Sequence, residues 1–405
     1  MSGPLAITAQ DVENAALAIA DHIVRTPSAV SQTLSDITGA HVIVKFENLQ
    51  FTASYKERGA LNCLLTLSPA ERAVGVIAMS AGNHAQGLAH HGARLGIPVT
   101  VVMPVGTPTV KVTRCEQLGA EVVLAGDGLG EAAVRAHELA DERGLLFVSP
   151  FDDARIIAGQ GTVALEMLED HPDLDAVVVP VGGGGLIAGM ATFLAARAPH
   201  VETIGAESER FPSMAIALGT WDGPVGGSTI AEGIAVATAG SLTQPLVAAH
   251  ARGGVVVVPE GLIERSVGML LEVEKTVVEG AGAAGLAAIL HQPERFAGLT
   301  VGVVLTGGNI EPRLLASVIL RSLVRAGRLV HLRVAVDDRP GSLAGLTAAV
   351  AAAAGNIVDV THQRLALEVP IKLTEIDLTI ETVDEAHAQR VIGALETAGY
   401  TVRRG

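Results

Sequence analysis

The chain has 405 residues, of which 49% are hydrophobic, 18% charged and 2% aromatic, and its formal net charge is −15 at pH 7. This length exceeds the ~100–200 residues of an ordinary domain, so we expect more than one domain. The acidic charge and the scarcity of aromatic residues disfavour nucleic-acid binding, and no apolar run reaches the roughly 18 residues that a membrane span needs.

The cysteines and the N-terminus predict a reducing, cytoplasmic setting. Cys63 and Cys115 are the only cysteines of the sequence, and they offer no metal cluster. The first residues, Met1-Ser2-Gly3-Pro4, lack the basic and apolar regions of a secretory signal. We therefore expect a cytoplasmic protein.

In chain order, the spacing of apolar residues predicts alternating short strands and helices as far as residue 325. The predicted strands are 41–46, 75–79, 99–103, 121–124, 176–180, 201–206, 255–258 and 299–305. The predicted helices are 9–24, one that begins near Lys56, one that follows the 80–84 loop and ends at 93, one that ends at 118, and then 130–143, 159–168, 186–196, 262–274, 280–290 and 310–325. This alternation is typical of an α/β protein with parallel sheets covered by helices.

From about Arg328 the order of the predicted elements changes. Strands are predicted at 331–336, 356–364, 371–381 and 400–403, and helices at 342–353 and 384–398. The resulting βαββαβ order is typical of a ferredoxin-like module. Ala326-Gly327 is the predicted hinge before it.

Four consecutive glycines, Gly182 to Gly185, separate a predicted strand from a predicted helix. Backbone N–H groups at such a position can converge on an anion at the positive end of the helix dipole. The alternative is a tight turn that needs positive φ, but four glycines exceed what one turn requires. We therefore favour an anion site.

The same run also allows a dinucleotide site. Gly183, Gly185 and Ala188 match the G-x-G-x-x-A pattern after a strand. Glu202 and Glu207 follow about 20 residues later and could face a ribose. A Walker A loop is excluded because no lysine follows the glycines.

Lys56 stands at the front of a predicted helix, and two more polar loops, Ser80–His84 and Thr306–Asn309, follow predicted strands. Together with the glycine run, these parts suit a phosphorylated aldehyde cofactor held as a Schiff base. Each part also has an ordinary structural alternative. These are a solvated lysine, an N-cap at Ser80 worth ~1 kcal/mol, and a simple strand-to-helix turn at Thr306.

Three further polar sets have structural interpretations. Glu207 with Glu209 could coordinate a cation, but a solvated acidic loop is favoured because no third ligand stands nearby. His84 and His90–His91 are interpreted as packed or solvated, not catalytic. The turn Asp337–Gly341 suits a small ligand and a plain strand-to-helix connection equally well.

Together, these motifs resemble the fold-type II pyridoxal-phosphate enzymes, specifically the threonine dehydratases (threonine ammonia-lyases) with a C-terminal ACT domain. The motifs stand in the family's order over nearly the whole chain: Phe51–Ala60, Ser80–Gly87, Gly182–Leu186, Glu279–Ala283 and Thr306–Asn309. The resemblance implies a tryptophan-synthase-β-like fold with two parallel-sheet α/β subdomains. It implies a catalytic domain over 1–325, with a smaller subdomain at about 50–150, and a ferredoxin-like ACT regulatory domain over 326–405.

The resemblance also implies roles for single residues. Lys56 is the implied catalytic residue and carries pyridoxal 5'-phosphate. The other implied cofactor-binding residues are Asn83 at the ring hydroxyl, Thr306 at the pyridine nitrogen, and Gly182, Gly183, Gly184, Gly185 and Leu186 around the phosphate. The implied site for the substrate carboxylate consists of Ser80, Ala81, Gly82, Asn83 and His84. We predict no metal site, because Phe211 and Ser213 stand where metal-dependent relatives supply ligands beside Glu207.

Two residues bear on the reaction. Relatives often have serine where Thr306 stands, and a neutral hydroxyl gives no reason to keep the ring nitrogen protonated. This favours β-elimination over transamination. Serine racemases of this fold carry a serine where Ala81 stands, and alanine cannot transfer a proton. The implied activity is deamination of L-threonine to 2-oxobutanoate and ammonia, with weaker dehydration of L-serine to pyruvate.

Several interpretations stay open on the sequence alone. The same scaffold suits a serine or 3-hydroxyaspartate dehydratase or a serine racemase, the glycine run suits a nicotinamide-dependent dehydrogenase, and an amino-acid sensor with an inactive catalytic domain is a third class. The resemblance further implies a homo-oligomer (dimer or tetramer) active in amino-acid metabolism such as isoleucine biosynthesis. It implies control by an amino-acid effector at Asp337–Leu343 and Asn356 of the ACT-like domain.

Overall fold

The computed structural model describes residues 5–363 and 372–405. The strands of this described part are β1 Ser28–Val30, β2 His41–Lys45, β3 Val76–Met79, β4 Val99–Met103, β5 Glu121–Leu124, β6 Leu146–Phe147, β7 Ala176–Pro180, β8 Glu202–Ser208, β9 Val255–Val258, β10 Thr300–Val304, β11 Leu329–Asp337, β12 Asn356–Gln363, β13 Leu373–Glu381 and β14 Thr401–Arg404. Its helices are α1 Ala9–Ile19, α2 Gln32–Thr38, α3 Lys56–Leu65, α4 Pro69–Val74, α5 Asn83–Leu95, α6 Thr109–Gln117, α7 Leu129–Arg143, α8 Ala154–Asp170, α9 Gly185–Arg197, α10 Ser213–Ala217, α11 Thr243–His250, α12 Glu260–Val273, α13 Gly280–His291, α14 Pro293–Phe296, α15 Pro312–Arg325, α16 Ser342–Ala352 and α17 Glu385–Thr397. In these described residues, no helix combines the length and the apolar character that crossing a membrane requires.

The chain divides into two compact units, one ending at Ile310 and the other covering Glu311–Gly405. The first unit contains two sheets. The larger has the strand order β1-β2-β10-β7-β8-β9 and is parallel except for β1. The smaller has the order β5-β4-β3-β6 and is fully parallel. The two predicted parallel-sheet α/β subdomains are thereby confirmed.

The carboxyl ends of neighbouring strands bring the predicted site motifs together. In the larger sheet β2, β10 and β7 are adjacent, and the segments that follow them carry Lys56, Thr306 and the glycine run. In the smaller sheet β3 leads into the loop that begins at Ser80. Ligand sites of open α/β sheets lie at this edge, outside the carboxyl ends of the strands.

Glycines allow three helices of the first unit to touch closely. A Cβ on Gly159 of α8 would lie 2.6 Å from the Cα of Gly59 in α3. A Cβ on Gly189 of α9 would lie 2.2 Å from the carbonyl oxygen of Ile157 in α8. Side chains at these positions would push the helices apart. The close packing therefore fixes α3, which begins at Lys56, relative to α9, which follows the glycine run.

Two predicted helices differ from the structure by five residues at one end. Helix α1 ends at Ile19 because the backbone of Val24 is held by a distant side chain: Gln50 accepts from its N–H at 3.1 Å and donates to its carbonyl at 2.8 Å. Helix α8 begins at Ala154, because Asp153 caps it by accepting from the Arg155 N–H at 2.8 Å. The unpredicted elements β1, α2, α4, β6, α10, α11 and α14 are too short to show a clear period.

The second unit has an antiparallel sheet of order β12-β13-β11-β14. Together with α16 and α17 it has the predicted βαββαβ order, and its core includes Val334, Leu378 and Val391. The strand ends predicted at Arg364 and Ile371 lie outside the described residues. Helix α15 groups with this unit, whereas the sequence places the boundary after residue 325; that boundary stays a prediction.

Candidate active site

Lys56 is the first residue of α3, and its side chain crosses to a neighbouring segment. Its Nζ donates to the carbonyl oxygen of Pro150 at 2.8 Å. The side chain is half-buried, and the loss of hydration around the ammonium lowers the pKa of Lys56 to about 8, although the nearby Glu279 opposes this shift. A sizeable fraction of this amine is therefore neutral near physiological pH, which suits a nucleophile or a base.

The glycine run forms the turn between β7 and α9. Gly184 is the N-cap of α9 with φ 95°, and no described side chain caps this helix. The Gly183 carbonyl accepts from Thr243 Oγ1 at 2.6 Å and from the Gly240 N–H at 3.1 Å. The loop is thereby held by its carbonyl groups, and the amide end of α9 is left for an anion.

Phe151 connects the glycine run to Lys56. A Cβ on Gly183 would lie 2.3 Å from the Phe151 ring, and one on Gly185 would lie 3.0 Å from the Phe151 Cα. Phe151 directly follows Pro150, the residue that accepts from Lys56. Only glycine fits at these positions of the run, because Phe151 packs against them. The same contact places the backbone of the glycine run near Lys56. Leu186, in the first turn of α9, is buried.

The loop from Ser80 to His84 precedes α5. The N-cap of α5 is Gly82, and the Ser80 hydroxyl accepts from the Gly82 N–H at 3.2 Å. The alternative that Ser80 is the N-cap is therefore wrong. His84 is buried, its Nε2 lies 3.1 Å from the Val148 carbonyl oxygen, and burial lowers the pKa of His84 to about 3. This imidazole is neutral in the folded protein. Ala81 packs against the core of the smaller subdomain.

Asn83 is held between two residues from distant parts of the chain. Its Nδ2 donates to Glu279 Oε1 at 2.7 Å, and its Oδ1 accepts from Asn309 Nδ2 at 2.7 Å. Asn309 Nδ2 also donates to the Thr52 carbonyl at 2.8 Å. This network joins four of the sequence motifs at one place and fixes the orientation of the Asn83 amide.

Thr306 and the two glycines after it lie against the segment before Lys56. The buried Thr306 accepts through its carbonyl from the Tyr55 N–H at 3.1 Å, and the Gly308 N–H donates to the Ala53 carbonyl at 2.9 Å. A Cβ on Gly307 would lie 2.5 Å from Glu279 Oε1. The structure thus brings Lys56, Asn83 and Thr306 into one site, with the glycine run attached through Phe151.

Three residues of the site, Glu279, Pro150 and Thr243, have no role predicted from the sequence. Glu279 is the N-cap residue of α13, and burial raises its pKa to about 7. Its signal in the sequence was the motif Glu279–Ala283, in which an acid opens a glycine- and alanine-rich helix. Pro150 and Thr243 have no comparable signal, because both act through contacts with residues far away in the chain.

Glu207 is not part of a solvated acidic loop, and that interpretation is wrong. The residue is fully buried, and its carboxylate accepts from the backbone N–H groups of Met214 at 2.8 Å and Ala215 at 2.9 Å. Burial raises the pKa of Glu207 to about 7.

Glu202 lies at the start of β8, level with Ala176 at the start of β7. It is therefore at the opposite end of the sheet from the glycine run, which removes one support for a dinucleotide site.

Comparisons with known proteins agree on one family. The family described as "Pyridoxal-phosphate dependent enzyme" matches residues 19–307. An L-threonine ammonia-lyase of Thermotoga maritima is 43% identical over 399 residues, which is 98% of this chain and 99% of that protein. One of Geobacter sulfurreducens is 45% identical over 383 residues, 93% of this chain and 94% of that protein. The structure of threonine deaminase isoform 2 from Solanum lycopersicum has a TM-score of 0.73 and 33% identity, and the match covers 80% of this chain and 91% of that one.

Proposed function

We propose that this chain, which belongs to the pyridoxal-phosphate dependent enzyme family, is an L-threonine ammonia-lyase that converts L-threonine to 2-oxobutanoate and ammonia. The family resemblance and the cofactor predicted from the motifs are confirmed. Two relatives that carry this activity in their names match the chain over nearly its whole length. Deamination of L-threonine is therefore the activity that the geometry of the site must explain.

The single observation that carries the proposal is the position of the Lys56 amine. It lies 2.8 Å from the Pro150 carbonyl, and the next residue packs under the glycine run. We assign Lys56 as the residue that links to the cofactor aldehyde, and Gly182–Gly185 with Leu186 as the cradle for its phosphate. The amide end of α9, which no described side chain caps, suits that dianion.

Asn83 and Thr306 are the proposed partners of the cofactor ring. The Asn83 amide is already oriented by Glu279 and Asn309, so it can present its remaining N–H to a ring hydroxyl without first losing side-chain freedom. Thr306 is the proposed partner of the ring nitrogen. Its hydroxyl is neutral, in contrast to a carboxylate, which would favour a protonated nitrogen.

Pyridoxal phosphate, when bound, supplies an aldehyde that joins to amines and a ring that accepts electrons from the substrate Cα. With the cofactor bound, Lys56 would hold its aldehyde and, as a free neutral amine, would take the Cα proton; burial lowers the pKa of Lys56, which keeps part of the amine neutral. The backbone of the Ser80–His84 loop and Asn83 orient the substrate carboxylate. The β-hydroxyl would leave with a proton as water, so that the proton taken from Cα and the departing hydroxyl balance as one water molecule. The released enamine would tautomerise to an imine, take up water and lose ammonia to give 2-oxobutanoate.

Ala81 favours elimination over racemisation. A racemase needs a second proton-transferring group on the face opposite the lysine, and an alanine methyl cannot fill that role. Racemisation is therefore the alternative that the test must exclude. We also propose dehydration of L-serine as a weaker side activity. The holoenzyme is mixed with L-threonine while 2-oxo acid and D-amino acid are measured. We expect 2-oxobutanoate and no D-allothreonine, the product of inversion at Cα; absence of 2-oxo acid contradicts the proposal.

We also propose that the second unit is an ACT-like regulatory domain. Its support is the βαββαβ order and the turn at Gly341, which has φ 95° and opens α16. The two candidate ligand elements do not meet within one chain. Asp337 pairs with Leu373 and Asn356 pairs with Glu381, which is aligned with Leu329 at the other end of β11. Titration of the full chain with isoleucine, valine and serine tests for an effector.

Oligomeric state and location complete the proposal. We infer a homo-oligomer, a dimer or a tetramer; its support is the apolar side chain of Leu17 on α1, which is 81% exposed. Light scattering on the purified protein tests this inference. We place the enzyme in the cytoplasm, since Cys63 and Cys115 are buried free thiols in the described structure.

A further inference from the structure

A second cluster of ligand-type side chains lies outside the proposed cofactor site. It consists of Glu57 on α3 and His90 and His91 on α5. One ligand atom from each residue lies within 4.8 Å of the other two. None of these side chains has a role in the proposed reaction, so the cluster needs its own explanation.

One ring nitrogen of the buried histidine in this cluster lacks a hydrogen-bond partner. His91 is 1% exposed, and its Nε2 finds no hydrogen-bond partner among the residues that the structure describes. The nearest carboxylate oxygen, Glu57 Oε2, lies 3.5 Å from it. The other Glu57 oxygen accepts from the Thr52 N–H, which holds the carboxylate in place. A buried polar atom without a hydrogen-bond partner is unfavourable, and a bound ion would satisfy it.

The cluster is open to solvent on one side. His90 is half-buried, and its ring stacks on Phe51 with 4.2 Å between centroids. Phe51 itself is 63% exposed. An ion can therefore reach the cluster past His90 and keep a water molecule as a further ligand.

We propose that Glu57, His90 and His91 bind a divalent transition-metal ion of the Zn²⁺ class. Two imidazole nitrogens and one carboxylate oxygen suit zinc, cobalt or nickel, whereas calcium and magnesium prefer oxygen ligands alone. Ligands at ~2.0–2.2 Å from a tetrahedral zinc lie roughly 3.4 Å from one another. The Glu57–His91 pair, at 3.5 Å, already has this separation, and the more exposed His90 completes the set.

The ion would connect the two helices that carry the cofactor site. Glu57 follows Lys56 directly in α3, and α5 begins at Asn83. Because the ion binds the folded arrangement of three residues from two helices, it stabilises the native state. Binding therefore raises the melting temperature of the protein independently of the proposed deamination.

Isothermal titration of the full-length holoenzyme with ZnCl₂ tests the site. We expect one Zn²⁺ per chain in the wild type and in His250→Ala, a control that removes a half-buried histidine of α11 outside the cluster. His90→Ala should weaken this binding at least tenfold, because one of three protein ligands is lost. If His90→Ala does not fold, as judged by circular dichroism, His90→Gln takes its place.

Co²⁺ provides a second readout at the same site. The wild type and His250→Ala should show the visible absorption bands of a low-symmetry, four-coordinate Co²⁺, and the His90 variant should not. Two results overturn the proposal: a wild type that binds no Zn²⁺, or a His90 variant whose Zn²⁺ affinity stays within tenfold of the wild type. Both readouts measure the metal and not turnover, so they are separate from the test of the deaminase activity.

Discussion

The carboxylate of Glu279 accepts a 2.7 Å hydrogen bond from the side-chain amide of Asn83, which lies 196 residues earlier in the chain. Burial raises the pKa of Glu279 to about 7, although the bond from Asn83 opposes this shift. The carboxyl group therefore becomes ionised, and a stronger acceptor, as the pH rises through 7. Glu279 is thus a positioning residue for the amide that we assign to the cofactor ring.

Replacing Glu279 by alanine should lower kcat/KM for L-threonine by about 10- to 100-fold. A hydrogen bond to a charged group contributes ~1.5–3 kcal/mol, and ~1.36 kcal/mol corresponds to a factor of ten. Glu279→Gln is the matched control, because it keeps an oxygen that accepts from Asn83, and it should retain most of the activity. Wild-type kcat/KM in Glu279→Ala contradicts the positioning role.

Cofactor loading should depend on pH through Lys56. Burial lowers the pKa of this amine to about 8, and only the neutral amine attacks an aldehyde. Below pH 8 the neutral fraction falls by about a factor of ten per pH unit. Reconstitution of the apoprotein, followed by visible absorbance, should be about tenfold slower at pH 6 than at pH 7. Equal rates at these two values would show that deprotonation of Lys56 does not limit loading.

Gly184→Ala should weaken cofactor binding at least tenfold. Gly184 has φ 95°, and an added Cβ would lie 2.5 Å from Met214 Cε and 2.8 Å from Thr243 Oγ1. Gly219→Ala is the control: φ there is also positive, at 72°, but no described atom lies within 4 Å of its Cβ. Both variants carry backbone strain of roughly 1 kcal/mol. A difference in cofactor affinity between them therefore reports the crowding of the glycine run. The measurement is equilibrium titration of each apoprotein with pyridoxal phosphate, and equal affinities would contradict the assignment.

Arg58→Met should destabilise the protein by about 3–5 kcal/mol, because it leaves the buried Glu47 without its ion-pair partner and Glu166 with Lys45 alone. Arg58 is fully buried and lies 2.7 Å from both Glu47 and Glu166. Arg135→Met is the control, since Arg135 pairs with exposed glutamates on α7 and such pairs contribute at most ~1 kcal/mol. Urea unfolding measures both variants. A similar midpoint for the two variants would mean that the buried network does not hold α3 in place.

The parts of the site that could be predicted from the sequence are those with a local pattern. Strand 176–180 followed by four glycines, and the polar loops at Ser80 and Thr306, are visible because each joins a buried strand to a helix. The parallel sheets follow from the same alternation. Sequence order alone already places these loops at the carboxyl ends of their strands.

The remaining features depend on contacts between distant residues. Phe151 shows no motif, yet it packs under Gly183 and determines how close the loop can approach. The partners of Asn83 lie beyond position 270, so no local pattern relates them to it. Helix α1 is shorter than its apolar spacing predicts because Gln50 binds the backbone of Val24. Glu207 resembles a surface acid in sequence, but the N–H groups of α10 satisfy it in the core.

Locating the covalent link to the cofactor tests the assignment of Lys56 most directly. The holoprotein is reduced with borohydride and digested, and the peptides are analysed by mass spectrometry. We expect the added mass of reduced pyridoxal phosphate on Lys56 alone. The same mass on another residue, or on none, would contradict it.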